Sequence, residues 1–301
     1  MIPPVPGPVR RRPSKQEVAK RRATAMLVLV VVGGIVLAAV IMAVRGHDHK
    51  ASAGTTVTAP PPPPPLRIVF PEGFTRADMA KRIAAVNLIA RRKRHVRPRL
   101  SPAAYLRATS RLPLPRGFGR PRSPEGFLFP ATYDFLRTTT SRQLALAQLK
   151  AFRRNWAKVD LKYARSKNLT PYDVLIIASM VEKEALAPDE RPLVAAVIYN
   201  RLHEHMTLGI DATLRYGLHI PPTQSIRESQ LQSDNPYNTR KLLGLPPTPI
   251  ANPGLASIQA AAHPAHVNYL YYVRKPDKQH HYFTSSYQDF VNYERAHGYI
   301  R

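Results

Sequence analysis

The chain has no cysteine among its 301 residues. That excludes a disulfide framework, a thiol nucleophile and a Cys-ligated zinc. Acidic residues are scarce: 19 Asp and Glu stand against 45 Lys and Arg, a formal net charge of +26. Catalytic signatures are missing too. Beyond the first 65 residues there is no His-Glu-x-x-His, Gly-x-Ser-x-Gly, Ser-x-x-Lys, P-loop or dinucleotide fingerprint, so metal-assisted hydrolysis, serine acyl transfer and nucleotide chemistry lack their usual residues. His203-Glu204-His205 puts its two imidazoles on different helix sides, and His263-Pro264-Ala265-His266 reads as loop. Neither has metal-ligand spacing. The hydrophobic fraction is nonetheless 44%, too high for a wholly disordered chain despite 31 prolines. The length leaves room for a core and a cleft.

What is present begins with Ala23 to Val44, an uncharged run of 22 residues. About 20 suffice to span hydrocarbon, whereas a signal-peptide core has about 7–15. The run predicts one transmembrane helix over 23–44. Seven cations precede it against Glu17 alone, and Arg45 and Lys50 follow it against Asp48. The positive-inside rule then leaves a disordered basic tail, 1–22, in the cytoplasm and sends the C-terminal bulk outside a cell membrane that the chain crosses once. Residues 45–65 read as a Ser/Thr/Pro linker, whose Pro60 to Pro65 make a stiff polyproline II spacer.

From Leu66 the texture is α+β. Residues 66–140 read as a small α/β subdomain: a strand LRIVF, a turn at Pro71-Glu72-Gly73, a helix opened by Thr75 with Asp78, and another opened by Ser101-Pro102. Residues 141–301 read as a helical catalytic core with a small antiparallel sheet. A helix begins near Ser141, and Thr170-Pro171-Tyr172-Asp173 opens a core helix, YDVLIIASMVEKEAL. A further helix is expected from about Asp189 to His203. The stretch past Leu208 reads as loops up to two strands, Val267 to Arg274 and His280 to Ser285, and a last helix capped by Ser286 and Asp289.

The core helix carries the chemistry. Glu182 and Glu184 follow eight uncharged residues, Val174 to Val181. At about 100° per residue the two acids point roughly 200° apart and cannot share one cleft. A carboxyl at the edge of an apolar core is desolvated toward the raised pKa that a general acid needs. The residues alone leave two roles open for it, general acid or Arg-paired structural glutamate.

Longer motifs add a family. SMVEKEALAPDERPLVAAVIYNRL, MTLGIDATLRYGL, NPYNTRKLLGLPPTPIANPG, AAHPAHVNYLYYV and HHYFTSSY, with VFPEGFT and EGFLFPATY upstream, resemble the endolytic murein transglycosylases of the YceG-like family, in order, from Leu66 onward. The resemblance implies an enzyme that cuts peptidoglycan glycan strands between N-acetylmuramic acid and N-acetylglucosamine, leaving 1,6-anhydro ends and terminating strand elongation. It needs no cofactor and no metal. The family's catalytic glutamate falls on Glu184, with Glu182 in possible support or in a salt bridge. Asp211, Tyr237, Asn238 and Thr239 occupy matched positions that line the sugar groove or hold backbone turns, and His263 and His281 share that ambiguity. Glu125 and Tyr133, in EGFLFPATY, read as structural. Implied partners are glycan strands, the membrane and peptidoglycan synthases.

The sequence also departs from the family. The spacer leads into PEGFT without the LysM-like module common in relatives. Ala131, Gly209 and Ala212 replace the usual Asp, Gln and Pro, and the late Glu-His-Asn signature reads Asp289-Phe290-Val291. Two other readings stay open: a silent wall-binding scaffold, and a hydrolytic muramidase with Asp211 or Glu190 as second carboxylate. The basic charge invites nucleic acid, but the expected topology offers the C-terminal bulk lipid headgroups, teichoic-type polymers and peptidoglycan carboxylates instead.

Overall fold

In a computed structural model the described residues are 64–119, 121 and 123–300. The basic tail, the apolar run 23–44 and the linker up to residue 63 lie outside them. Among the described residues no helix is long and apolar enough to cross a membrane.

The chain opens with β1 (Leu66–Val69), then α1 (Arg76–Arg94) and α2 (Pro102–Ser110). β2 (Thr132–Phe135) returns antiparallel to β1, Leu66 opposite Phe135 and Val69 opposite Thr132. Next come α3 (Ser141–Trp156), the short α4 (Lys162–Ser166) and the core helix α5 (Pro171–Glu184). A 3-10 turn, Pro188–Glu190, leads into α6 (Arg191–His203). Then follow α7 (Asp211–Gly217), α8 (Glu228–Leu231) and α9 (Leu255–Ala262). The hairpin β3 (Tyr271–Arg274) and β4 (His281–Thr284) pairs Tyr272 with Phe283 and Arg274 with His281, and α10 (Tyr287–Ala296) closes the order. The class is α+β.

Helix starts follow local chemistry. Thr75, Thr140 and Thr170 each accept the N3 amide while the N3 side chain returns a bond to the cap amide, closing reciprocal boxes with Asp78, Gln143 and Asp173. Each cap is worth about 1 kcal/mol. In α5 every residue from Val174 to Val181 is buried, so this helix is enclosed on all sides. Its one polar member in that stretch, Ser179, donates to the Ile176 carbonyl (2.7 Å) and accepts from the Ile250 amide (3.0 Å).

The region past Leu208 corrects the loop expectation. It holds three helices, and the last, α9, is a core element with Ser257, Ile258 and Ala260 to Ala262 buried. Its Ala-rich face packs closely on α5, and Tyr199 of α6 donates to the Ala261 carbonyl (2.8 Å). The first hairpin strand is also shorter than its sequence suggests. Val267 and Tyr269 instead offer their carbonyls to Asn200 Nδ2 (2.9 Å each), and Leu270 offers its own to Arg201 Nε (2.6 Å). The last turn of α6 thereby fixes where β3 begins.

Candidate active site

Glu184 is the final residue of α5, partly buried and turned toward the hairpin. Tyr272 on β3 donates its hydroxyl to Glu184 Oε2 at 3.1 Å. Burial raises the Glu184 pKa. The Tyr272 bond works against that rise, the Asp211 charge adds to it, and Arg274 and Arg240 oppose it. A helix C-terminus also disfavours a carboxylate. The outcome is an acid held toward its protonated form beside cations that stabilise it once ionised. Tyr272 is raised well above the ordinary phenol range, first by burial and then by Glu184, so it remains a hydroxyl donor.

Beneath Tyr272 lies a second carboxylate with a different task. His281 is buried on β4, its ring edge-on to Tyr272 at 5.3 Å. Glu190 takes both the His281 amide and Nδ1, each at 2.7 Å. With both oxygens engaged and the side chain buried, Glu190 braces the hairpin from below.

Glu182 faces elsewhere, as helical spacing requires. Its Oε2 accepts the Gly254 amide at the start of α9 (2.9 Å). Glu72 shares that corner: burial first, then Glu182, raises its pKa, and Arg191 lowers it. A Cβ at Gly254 would lie on the Glu72 carboxylate, so glycine is what admits that side chain. The two acids of the Glu-Lys-Glu motif thus serve separate neighbourhoods.

Asp211 opens α7 and pairs with Arg240, and both act electrostatically on Glu184. The loop behind them is held from inside. Thr239 is buried, meeting the Ile210 amide (3.1 Å) and the Thr213 hydroxyl (2.8 Å). Asn238 is fully buried and donates to the Leu231 and Ser233 carbonyls. Tyr237 keeps a partly exposed ring against Tyr216 and shares a hydrogen with Thr248 (2.8 Å). Gly209 sits at φ +68°, with Arg201 Nη1 3.0 Å from where a Cβ would stand. That close guanidinium and left-handed backbone account for glycine at this departure from the family pattern. His263 is exposed at the end of α9 and is not among the groups acting on Glu184.

Tyr272, Arg240 and Arg274 escaped the sequence reading, and so did a residue away from Glu184. Asn252 is fully buried and uses its whole amide: Oδ1 accepts from Gly126 and Leu128 (2.9 Å each), and Nδ2 donates to the Phe74 carbonyl (2.9 Å) and to Glu125 (2.6 Å). It ties three motifs together. An Asn between prolines reads only as a turn former, so its sequence carried no separate signal. Glu125 also accepts from the Arg76 amide (2.9 Å) and the Tyr216 hydroxyl (3.2 Å), and burial pushes its pKa to about 7.

Comparison with known proteins supplies the family. The YceG-like family pattern matches residues 44–296. A protein of Bacillus subtilis (strain 168) named endolytic murein transglycosylase is 36% identical over 153 residues, covering 50% of this chain and 42% of that protein. One of the same name from Streptococcus pneumoniae (strain R6) is 34% identical over 172 residues, covering 55% of this chain and 30% of that protein. The chain therefore spans less than half the length of these curated relatives. The crystal structure of a yceG-like protein from Listeria monocytogenes superposes with a TM-score of 0.60 at 29% identity, covering 77% of this chain and 76% of that one.

Proposed function

The chain belongs to the YceG-like family, and on that footing we propose that it is an endolytic lytic transglycosylase of peptidoglycan with Glu184 as its single acid and base. The observation that carries this reading is the environment of Glu184: a desolvated carboxyl with one phenol donor and two nearby arginines. Protonated Glu184 gives its proton to the glycosidic oxygen as the bond to the muramyl C1 breaks. The resulting carboxylate, steadied by Tyr272, Arg274 and Arg240, then takes the proton of the muramyl C6 hydroxyl as that oxygen bonds to C1. The ring closes, the acid is regenerated and no water is consumed. One carboxyl suffices, unlike the pair in hydrolytic glycosidases.

In this reading Asp211 and Tyr237 face the sugars, while Asn238, Thr239 and His281 hold the walls of the site and Glu182 holds α9. His263 serves a surface outside the reacting centre. The apolar run 23–44 is the single-pass anchor, its flanking charges leave the N-terminus in the cytoplasm, and the proline spacer lets the enzyme meet strands as membrane-bound synthases extend them.

Glu184→Gln and Glu182→Gln test the assignment on isolated glycan strands. The first is expected to abolish cleavage with unchanged thermal unfolding, and the second to retain activity. Full activity in Glu184→Gln would move the acid to another residue.

A further inference from the structure

α1 is apolar on two sides. Met79, Ala80, Ile83 and Ala90 are buried on its core side, while Leu88 and Ile89, on the far side of the helix, are 48% and 55% exposed. Arg92 and Lys93 stand one turn further on, four residues after each of that pair, and are exposed as well. A helix packed on one core needs one apolar stripe, so the outer pair points to a second neighbour.

The charge around the pair has no counterpart. From Met79 to Pro124 the sequence holds thirteen Lys and Arg and no acid, half of the formal net charge of +26. Arg91, Arg92, Lys93, Arg94, Arg97 and Arg99 gather at the end of α1, and none joins an ion pair among the described residues. A helix C-terminus favours cations in its last turn only, and Arg97 and Arg99 lie beyond it. Arg91, His95 and Arg97 also line a cavity of about 340 Å3, room for a phosphate headgroup.

The same corner is where the chain enters the fold. Arg94 Nη1 donates to the Pro65 carbonyl (3.2 Å). The Arg99 amide donates to the Arg137 carbonyl (2.8 Å) just past β2, beside the exposed Leu136. Residues 45–65 join this corner to the apolar run 23–44, a reach of about 70 Å at full extension.

We propose that the outer face of α1 and its basic end dock on an anionic phospholipid surface, an inference that rests on reading 23–44 as a membrane anchor. Leu88 and Ile89 enter the headgroup boundary and the cations meet lipid phosphates, as on an interfacial helix. The tether keeps the face near the bilayer, so weak contacts suffice. The other end of α1 follows the turn at Gly73, whose carbonyl accepts from Lys183 Nζ (3.4 Å), next in sequence to Glu184. The 19 residues of α1 span about 28 Å, so docking holds the Glu184 end of α5 at a set distance of that order from the headgroups.

The test uses the full chain in bilayer discs of phosphatidylcholine, with or without phosphatidylglycerol. The chain has no cysteine, so Ile89→Cys carries a single nitroxide label, and its relative accessibility to oxygen and to a water-soluble nickel complex reads immersion. We expect immersion on phosphatidylglycerol, and an exposed label on phosphatidylcholine alone or at high salt. Arg92→Gln/Lys93→Gln should lower the ratio of immersed to exposed label about thirtyfold, at about fivefold for each cation. A label exposed on phosphatidylglycerol, or equally immersed in both discs, overturns the docking face. Anchoring is read separately, as recovery of the chain with the discs after a high-salt wash. Recovery with an exposed label overturns the face and leaves the anchor, whereas loss in the wash after immersion at low salt supports the face and overturns the anchor. Protection of the label that requires a teichoic-type polymer, or that rises with protein concentration on phosphatidylcholine, assigns the face to wall polymer or to a second copy and overturns the proposal.

Discussion

Replacing Tyr272 by Phe removes one hydroxyl and leaves the ring packed against His281 and Phe283, 5.3 and 5.8 Å away. The hydroxyl donates to Glu184 at 3.1 Å, and a bond to an ionised acceptor is worth about 1.5–3 kcal/mol. The length places this one toward the low end, close to the 1.36 kcal/mol of one pKa unit. Because the bond favours the carboxylate, losing it raises the Glu184 pKa by about one unit. In the proposed reaction Glu184 starts protonated, so activity is expected to fall as pH rises through that pKa. The alkaline limb of kcat/KM, which reports the free enzyme, should therefore move up by about one unit in Tyr272→Phe. The plateau kcat should fall, since the carboxylate formed in the first step has lost its donor. A limb that stays in place or moves down would refute the role given to Tyr272.

Two further outcomes concern stability. Glu125 has its folded-state pKa raised from 4.5 to about 7, so between those values the folded chain keeps a proton that the unfolded chain has released, and stability falls as pH rises across that window. The whole interval amounts to about 3 kcal/mol. Glu125→Gln should abolish this loss in urea unfolding at pH 4.5 and 8, and an unchanged slope would contradict it. Gly126→Ala meets both backbone and space: φ is +88°, and a methyl would lie 2.8 Å from the Pro249 ring and 3.1 Å from Leu175. A loss of about 2–3 kcal/mol is expected in urea unfolding; a change under about 0.5 kcal/mol would show that the turn relaxes freely.

Legibility in the sequence followed locality. Thr75 with Asp78 and Thr170 with Asp173 are three residues apart, and such caps announce a helix to a local reader. The opposed directions of Glu182 and Glu184 also followed from helical spacing alone. α9 was missed because nothing local marks its start: no side chain of its own caps it, and the acceptor for the Gly254 amide comes from Glu182, 72 residues earlier. β2 was missed for a similar reason, since its half-exposed TYDF acquires meaning only by pairing with β1. At the site, Glu182 and Glu184 stood out together as acids at the end of an apolar run, and only the family resemblance singled out Glu184. Its donor Tyr272 lies 88 residues away in a tyrosine-rich strand where nothing local separates it from Tyr271.

The central claim, ring closure by one carboxyl without water, is tested most directly by mass spectrometry of the glycan ends made in water enriched in heavy oxygen. We expect wild type to give 1,6-anhydro-muramyl ends with no heavy oxygen incorporated, and folded Glu184→Gln to give no new ends. Reducing ends carrying the heavy oxygen would contradict it, and would make the enzyme a hydrolase with Asp211, the carboxylate acting on Glu184, as its second acid.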